Sequence, residues 1–295
     1  MVITDVALRD GLQNQPRMLA TETKLSLLHQ LLAAGVRSME VGSFVHPRLV
    51  PTMADTEEVC RRLPPAPGAQ LLVLVPNLKG AERAIGVGVH HVRIVLSATE
   101  GHSRSNTNRS VSEGLEETRR VRDALHAAGV TDVTAAVATA FVCPFDGVVP
   151  LDHLHGVVAR LVEMGFGEIS LSDTLGKAHP DQVEQAVAVM RDDFPQTAFS
   201  LHLHDTYGMG LANVVAGLRQ GVRAFDGALG GIGGCPFAPG AAGNVATEDV
   251  VFMLQAMGYD TGIDLDALAG AAAELRAALE GPLESAVSRA LGWTT

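Results

Sequence analysis

The chain is expected to fold as one α/β domain, a closed (β/α)8 TIM barrel with extra C-terminal helices. Three observations predict this. Its 295 residues suit a barrel of about 250 residues followed by a short tail. Short apolar runs alternate with helix-period segments from end to end, which implies parallel strands joined by right-handed crossovers. Eight such units follow one another, and the G-x-G-x-x-G turn that opens a doubly wound sheet is absent. The domain is read as 1–295, with about 260–295 as a C-terminal helical extension.

Taken in order, residues 2–8 are largely β-branched and apolar and lead into the turn Arg9-Asp10-Gly11. Residues 21–34 carry Leu25, Leu28 and Leu32 at helical spacing and stop at Gly35, a C-cap signal. A short strand over 38–42 passes through a Pro-bearing loop to a helix near 56–63. Strand 70–75 ends at Pro76-Asn77, and a helix runs through 81–85. Strand 92–97 is followed by a polar loop, 100–109, and a helix over 113–128. Strand 133–138 precedes helix 151–164, stopped by Gly165. Strand 168–172 ends at Asp173, and helix 180–194 starts on a proline, as helix N-termini allow. Strand 198–204 with helix 210–220, and strand 224–229 with helix 247–257, complete the eight. The tail from 265 to 290 reads as helical.

Composition narrows the function classes. With 47% hydrophobic residues the chain has ample material for a core. A formal charge of -11 without a basic stripe argues against nucleic-acid binding and reads as an acidic surface. No apolar run is long enough to span a bilayer, and the N-terminus enters a strand without a leader-like apolar region. Cys60, Cys143 and Cys235 show no paired spacing, which points to a reducing compartment without a disulfide framework. A cytoplasmic protein is expected, without membrane or nucleic-acid partners, as a homodimer.

The most informative stretch is Ser200-Leu201-His202-Leu203-His204-Asp205. Side chains alternate across a strand, so Ser200, His202 and His204 share one face. Two imidazoles on one face can reach a single divalent ion, and with oxygen donors they suit Mn, Fe, Zn or Mg. A bare H-x-H is more often a pair of ordinary strand histidines. What shifts the reading is that active sites of such barrels lie beyond the C-terminal strand ends, where Arg9, Asp10, Glu40, Asn77, Asp173, Cys235 and Asn244 also fall. Each alone has a plainer role, such as a turn or helix cap. The loop from Gly230 to Asn244 is glycine-rich around Cys235. It is not a P-loop, because no Gly-Lys-Ser/Thr follows. A cysteine there, close to a cation, is a candidate for proton transfer, whereas Cys60 and Cys143 read as structural.

These residues sit in recognisable motifs. Arg9-Asp10-Gly11-Leu12-Gln13-Asn14, Pro51-Thr52-Met53-Ala54-Asp55, Pro76-Asn77-Leu78-Lys79-Gly80, Ser172-Asp173-Thr174-Leu175-Gly176, His202-Leu203-His204-Asp205-Thr206-Tyr207-Gly208 and the cysteine loop resemble the 3-hydroxy-3-methylglutaryl-CoA lyase family. The resemblance runs in order over nearly the whole chain. It implies cleavage of a 3-hydroxyacyl-CoA to acetyl-CoA and a keto acid, acetoacetate in the best-known case. It implies a divalent cation, Mg2+ or Mn2+, held by Asp10, His202, His204 and Asn244. It implies Arg9 stabilising the thioester enolate and Cys235 protonating it. Asp10 is read both as ligand and as first candidate for the base, with Glu40 and Asp173 orienting ligands or substrate.

Leu12 stands where the condensing synthases of the same barrel family usually carry Glu, which favours the lyase branch. Pro16, His102 and Ala138-Thr139-Ala140-Phe141 depart from the usual lyase pattern. These bear on the acyl group, so citramalyl-CoA or a longer 3-substituted glutaryl-CoA stays an alternative substrate. An acetyl-CoA-condensing synthase and a non-catalytic metal-binding barrel are the other readings.

Overall fold

The computed structural model describes residues 1–234 and 243–293. Eight parallel strands close the expected barrel: β1 (Val2–Asp5), β2 (Ser38–Ser43), β3 (Gln70–Val75), β4 (His91–Ser97), β5 (Asp132–Ala138), β6 (Glu168–Asp173), β7 (Ala198–Leu203) and β8 (Ala224–Gly227). The ring closes where β1 pairs with β8, from Val2↔Ala224 to Asp5↔Gly227. Around it lie α1 (Thr21–Ala33), α2 (Thr56–Arg61), α3 (Leu78–Gly86), α4 (Glu100–Thr107), α5 (Val111–Ala127), α6 (Leu151–Glu163), α7 (Pro180–Asp193), α8 (Gly210–Arg219) and α9 (Thr247–Ala256). The tail adds α10 (Leu268–Leu279) and α11 (Ala286–Ala290).

Strand alternation divides two layers. Val92, Ile94 and Leu96 of β4, and Leu201 and Leu203 of β7, are buried in the apolar cluster. A Cβ on Gly217 of α8 would meet Leu201 Cδ1 at 2.3 Å, so this helix lies close on the sheet and a larger residue would displace the Leu201 side chain. The alternate positions, Arg93 on β4 and His202 on β7, line a cavity instead. α1 stops at Gly35 because φ is +94° there and a Cβ would strike Gly262 O at 2.3 Å. In the tail, Ser285 Oγ donates to Asp249 Oδ1 at 2.7 Å and fastens α11 to α9.

The elements differ from expectation in several places, among them an earlier start of α3 at Leu78, an earlier end of β8 at Gly227 and a tail split into two helices. β1 ends at Asp5, and residues 7–11 form a π-helical turn. The polar loop expected at 100–109 is mostly helix α4. α5 begins two residues earlier, on a capping box: Ser110 Oγ accepts from Glu113 N at 3.1 Å and Glu113 Oε2 accepts from Ser110 N at 2.7 Å. Two short strands not expected, Val142–Cys143 and Gly147–Val148, pair as a hairpin.

Candidate active site

β1 stops because the Asp5 side chain draws the chain inward. Its carboxylate accepts from Ala7 N and Leu229 N, both at 2.9 Å, and from Thr247 Oγ1 at 2.6 Å. The following π-turn, Ala7–Gly11, is closed by Gly11 N donating to Val6 O at 3.1 Å. Gly11 packs tightly here, since a Cβ would lie 2.7 Å from Ile232 Cγ1 and would force that side chain to shift. The turn presents Arg9 and Asp10 to the cavity. Arg9 Nε donates to Glu40 Oε2 from β2, and Arg9 Nη1 donates to Asp10 Oδ1 at 2.5 Å.

Opposite stand His202, on β7, and His204, just past its end and bridged to Asn244. Their Nε2 atoms are 3.1 Å apart. Asp10 Oδ2 lies 3.5 Å from His204 Nε2 and 3.9 Å from His202 Nε2. Ligands about 2.1 Å from an octahedral ion sit about 3 Å from their neighbours, so the spacing suits a small divalent cation. Asn244 Nδ2 donates to Asp10 Oδ2 at 2.8 Å, while Asn244 Oδ1 and His204 Nδ1 are buried without hydrogen-bond partners among the described residues. Asp10, His202 and His204 are thus a candidate metal cluster, with donor atoms within 4.8 Å of one another and the amide of Asn244 at its edge. The donors are nitrogen and oxygen without thiolate, as Mg, Mn, Fe or Zn accept.

Charge state follows from surroundings. Burial pushes the Asp10 carboxyl up, but Arg9 and the two histidines outweigh it and hold it well below the usual carboxylate range. Burial opposes charge on His202, yet its bond to Asp226 and the nearby Asp10 raise its pKa. Burial raises Asp226, but Arg93 and His202 bring it below the ordinary value. Asp10 and Asp226 are therefore carboxylates at neutral pH, ready to face a cation or imidazole.

The cavity between these groups has a volume of about 360 Å³, within the range of small-molecule sites. Its wall opposite the metal cluster is small and apolar, with Leu74, Val95, Ala136 and Ala138, and α4 contributes His102, Ser105 and Asn106. His102 Nδ1 is 2.7 Å from Ser97 Oγ. Asp173 is fully buried beneath the adjoining Ser172 and Thr174, which do line the cavity. Its carboxylate accepts from Ala178 N at 2.9 Å and Lys177 N at 3.2 Å, fixing the turn after β6. Asn77 caps α3, accepting from Gly80 N at 3.0 Å, and lies outside this cavity. Cys235 lies outside the described residues; Gly234 before it lines the cavity.

Two participants escaped the sequence reading, Arg93 and Asp226. Arg93 Nη1 donates to Asp226 Oδ2 at 2.6 Å and lies 3.1 Å from Glu40 Oε1. The available signal was a charged residue inside each of two otherwise apolar strands. Such groups are buried only when paired.

Residues 1–274 match the family model described as HMGL-like. An (R)-citramalyl-CoA lyase of Chloroflexus aurantiacus is 44% identical, over 98% of this chain and 94% of its own. A hydroxymethylglutaryl-CoA lyase of Pseudomonas mevalonii is 42% identical over 94% of this chain and 92% of its own. The crystal structure of an HMG-CoA lyase from Bacillus subtilis superposes with a TM-score of 0.95 at 39% identity, covering 99% of this chain and 97% of that one.

Proposed function

The chain belongs to the HMGL-like family of carbon–carbon lyases, and from that premise we propose that it cleaves a short branched 3-hydroxyacyl-CoA to acetyl-CoA and a keto acid. The observation that carries the reading is the cluster of Asp10, His202 and His204 with Arg9 bonded beside it, all lining one cavity. 3-Hydroxy-3-methylglutaryl-CoA, giving acetoacetate, is the first substrate. Citramalyl-CoA, giving pyruvate, is the second reading, favoured by the 44% identity to a citramalyl-CoA lyase.

The chemistry asked of the residues is a retro-aldol cleavage. A divalent cation would be held by Asp10, His202, His204 and Asn244, and would supply Lewis acidity to the substrate there. Asp10, ionised and beside the histidines, is the first candidate to take the hydroxyl proton. The C–C bond then breaks, its electron pair moving into the thioester as an enolate. Arg9, locked by Glu40 and Asp10, offers guanidinium N–H groups where that charge develops. Cys235, next in sequence to the cavity-lining Gly234, is the proposed acid that protonates the acetyl carbanion. Asp173 contributes by holding the turn that carries Thr174.

Purified protein with Mg2+ or Mn2+ is incubated with a panel of 3-hydroxyacyl-CoAs, and released acetyl-CoA and keto acid are identified by mass. Acetoacetate or pyruvate in equal amount with acetyl-CoA is expected, and the kcat/KM ratio ranks the two substrates. Absence of cleavage, with condensation of acetyl-CoA and a keto acid instead, would assign the chain to the synthase chemistry.

A further inference from the structure

Six side chains close a ring at the barrel mouth. Arg9 donates to Glu40. Glu40 Oε1 lies 3.1 Å from Arg93 Nη1, which donates to Asp226 Oδ2 at 2.6 Å. Asp226 Oδ2 meets His202 Nδ1 at 3.1 Å. His202 Nε2 lies 3.9 Å from Asp10 Oδ2, and Asp10 Oδ1 returns to Arg9 at 2.5 Å. Basic and acidic groups alternate around the ring. Arg93 and Asp226 have no role in the chemistry above, yet they are only 3% and 2% exposed. Charges so deep cost several kcal/mol each unless well paired, and hydrophobic replacements often serve stability as well or better. A role in positioning accounts for their place.

We propose that Arg93 and Asp226 are positioning residues, Asp226 holding His202 with its proton on Nδ1 and its Nε2 bare toward the cation site, and Arg93 tying that histidine to Arg9 through Glu40. A neutral imidazole has one N–H and one lone pair, and the partner of one nitrogen decides the state of the other. Asp226 accepts at Nδ1, so Nε2 keeps the lone pair. His204 has no such partner among the described residues, where its Nδ1 is buried and unbonded. The two Nε2 atoms are 3.1 Å apart, so His204 donates and His202 accepts. The two histidines are therefore unequal: His202 is set in advance for a cation, and His204 must lose its Nε2 proton to ligate. Arg93 extends the control. Its Nη1 donates to Asp226 and lies beside Glu40 Oε1, and a lysine ammonium on a more flexible stem holds that point less firmly.

Two measurements need no catalysis. Long-range 1H–15N spectra of histidine-labelled, metal-free protein at about pH 8.5 should show His202 as the Nδ1–H tautomer. Titration of free Mn2+ by electron paramagnetic resonance should give Asp226→Asn a Kd about 10- to 100-fold weaker than the parent protein, as for other partners of metal ligands. Arg93→Lys should weaken Mn2+ less. An Nε2–H tautomer for His202, or folded Asp226→Asn binding Mn2+ within about twofold of the parent, overturns the proposal. If Asp226→Asn does not fold, the tautomer of the parent protein decides. A third arm rests on the lyase reading: Arg93→Lys should lower kcat with KM little changed, and should add nothing in an Arg9→Gln background. An additive loss would break the tie to Arg9. Parent protein inactive on every acyl-CoA would sink the lyase reading, with the tautomer and Mn2+ results still deciding the proposal.

Discussion

Arg9→Gln separates transition-state stabilisation from metal binding. Arg9 touches Asp10 at 2.5 Å and also holds Glu40. On the proposed mechanism its loss removes a preorganised donor from the place where enolate charge grows. Deleting one such donor costs about 10²- to 10³-fold in kcat, or about 2.7–4 kcal/mol. Because that interaction strengthens only as the bond breaks, kcat and kcat/KM should fall together. The fold should survive, since Glu40 keeps Arg93 at 3.1 Å and is not left as an unpaired buried charge. Metal affinity should hold or rise, because a positive charge leaves the neighbourhood of Asp10. Steady-state release of acetyl-CoA gives the kinetic constants, and Mn2+ titration of the same preparation gives affinity. Normal kcat with only a raised KM would assign Arg9 to uniform substrate binding. A lost metal would mean that Arg9 acts by shaping the cation site.

Other perturbations separate the remaining roles. Exhaustive chelation should abolish turnover and Mg2+ or Mn2+ should restore it; full activity in verified metal-free protein contradicts the cation requirement. His204→Ala should weaken Mn2+ binding at least about tenfold, and an unchanged titration removes His204 from the ligand set. Cys235→Ala should retain metal affinity while losing about 10²- to 10⁴-fold in turnover, as for a general acid, whereas Cys60→Ala should be kinetically silent; normal kcat in Cys235→Ala refutes the acid role. The fourth test is stability against pH in EDTA. Burial raises the Asp5 pKa to about 6, so the folded state holds a proton that the unfolded chain releases near 4. Its contribution is largest below that lower value and is lost as pH rises through 6. Between about pH 5 and 8 this group alone withdraws roughly 1 kcal/mol, so the melting temperature should fall over that interval, and a rise would contradict the assignment.

The strand-end positions were legible because periodicity marks where each strand stops, and the barrel puts all those ends on one face. Asp10, His202, His204 and Asn244 meet on that logic alone. Helix α4 was not legible. Gly101-His102-Ser103-Arg104-Ser105-Asn106 has no apolar period, and its start is tied by distant groups: Gly101 N donates to Asp146 Oδ2 at 2.8 Å, and Glu100 Oε1 accepts from Val111 N at 3.0 Å. Tertiary contact, not local propensity, makes it a helix. Cys60 shows the reverse case. Burial pushes its thiol up to about 12, which agrees with the structural reading taken from its helix position. Arg93 and Asp226 were passed over because each was counted as part of an apolar strand. Pairing across β4 and β8 is a long-range fact that no window around either residue contains.

That pairing also bears on what a cation would do at the proposed site. The interior of such barrels is ordinarily packed with bulky branched side chains. Here Glu40, Arg93, His202 and Asp226 are buried at inward positions, and the apolar cluster includes Val92, Ile94, Leu201 and Phe225 from the alternate positions on these strands. Stability therefore rests largely on the layer between strands and helices, which leaves the mouth free to hold charge. Asp10, Glu40 and Asp226 supply three carboxylates against the two guanidiniums of Arg9 and Arg93. With neutral imidazoles the ring carries one net negative charge, which repels an anionic acyl-CoA. A divalent cation would reverse the sign to one net positive, and the ring would then attract the carboxylate and the enolate of the proposed reaction.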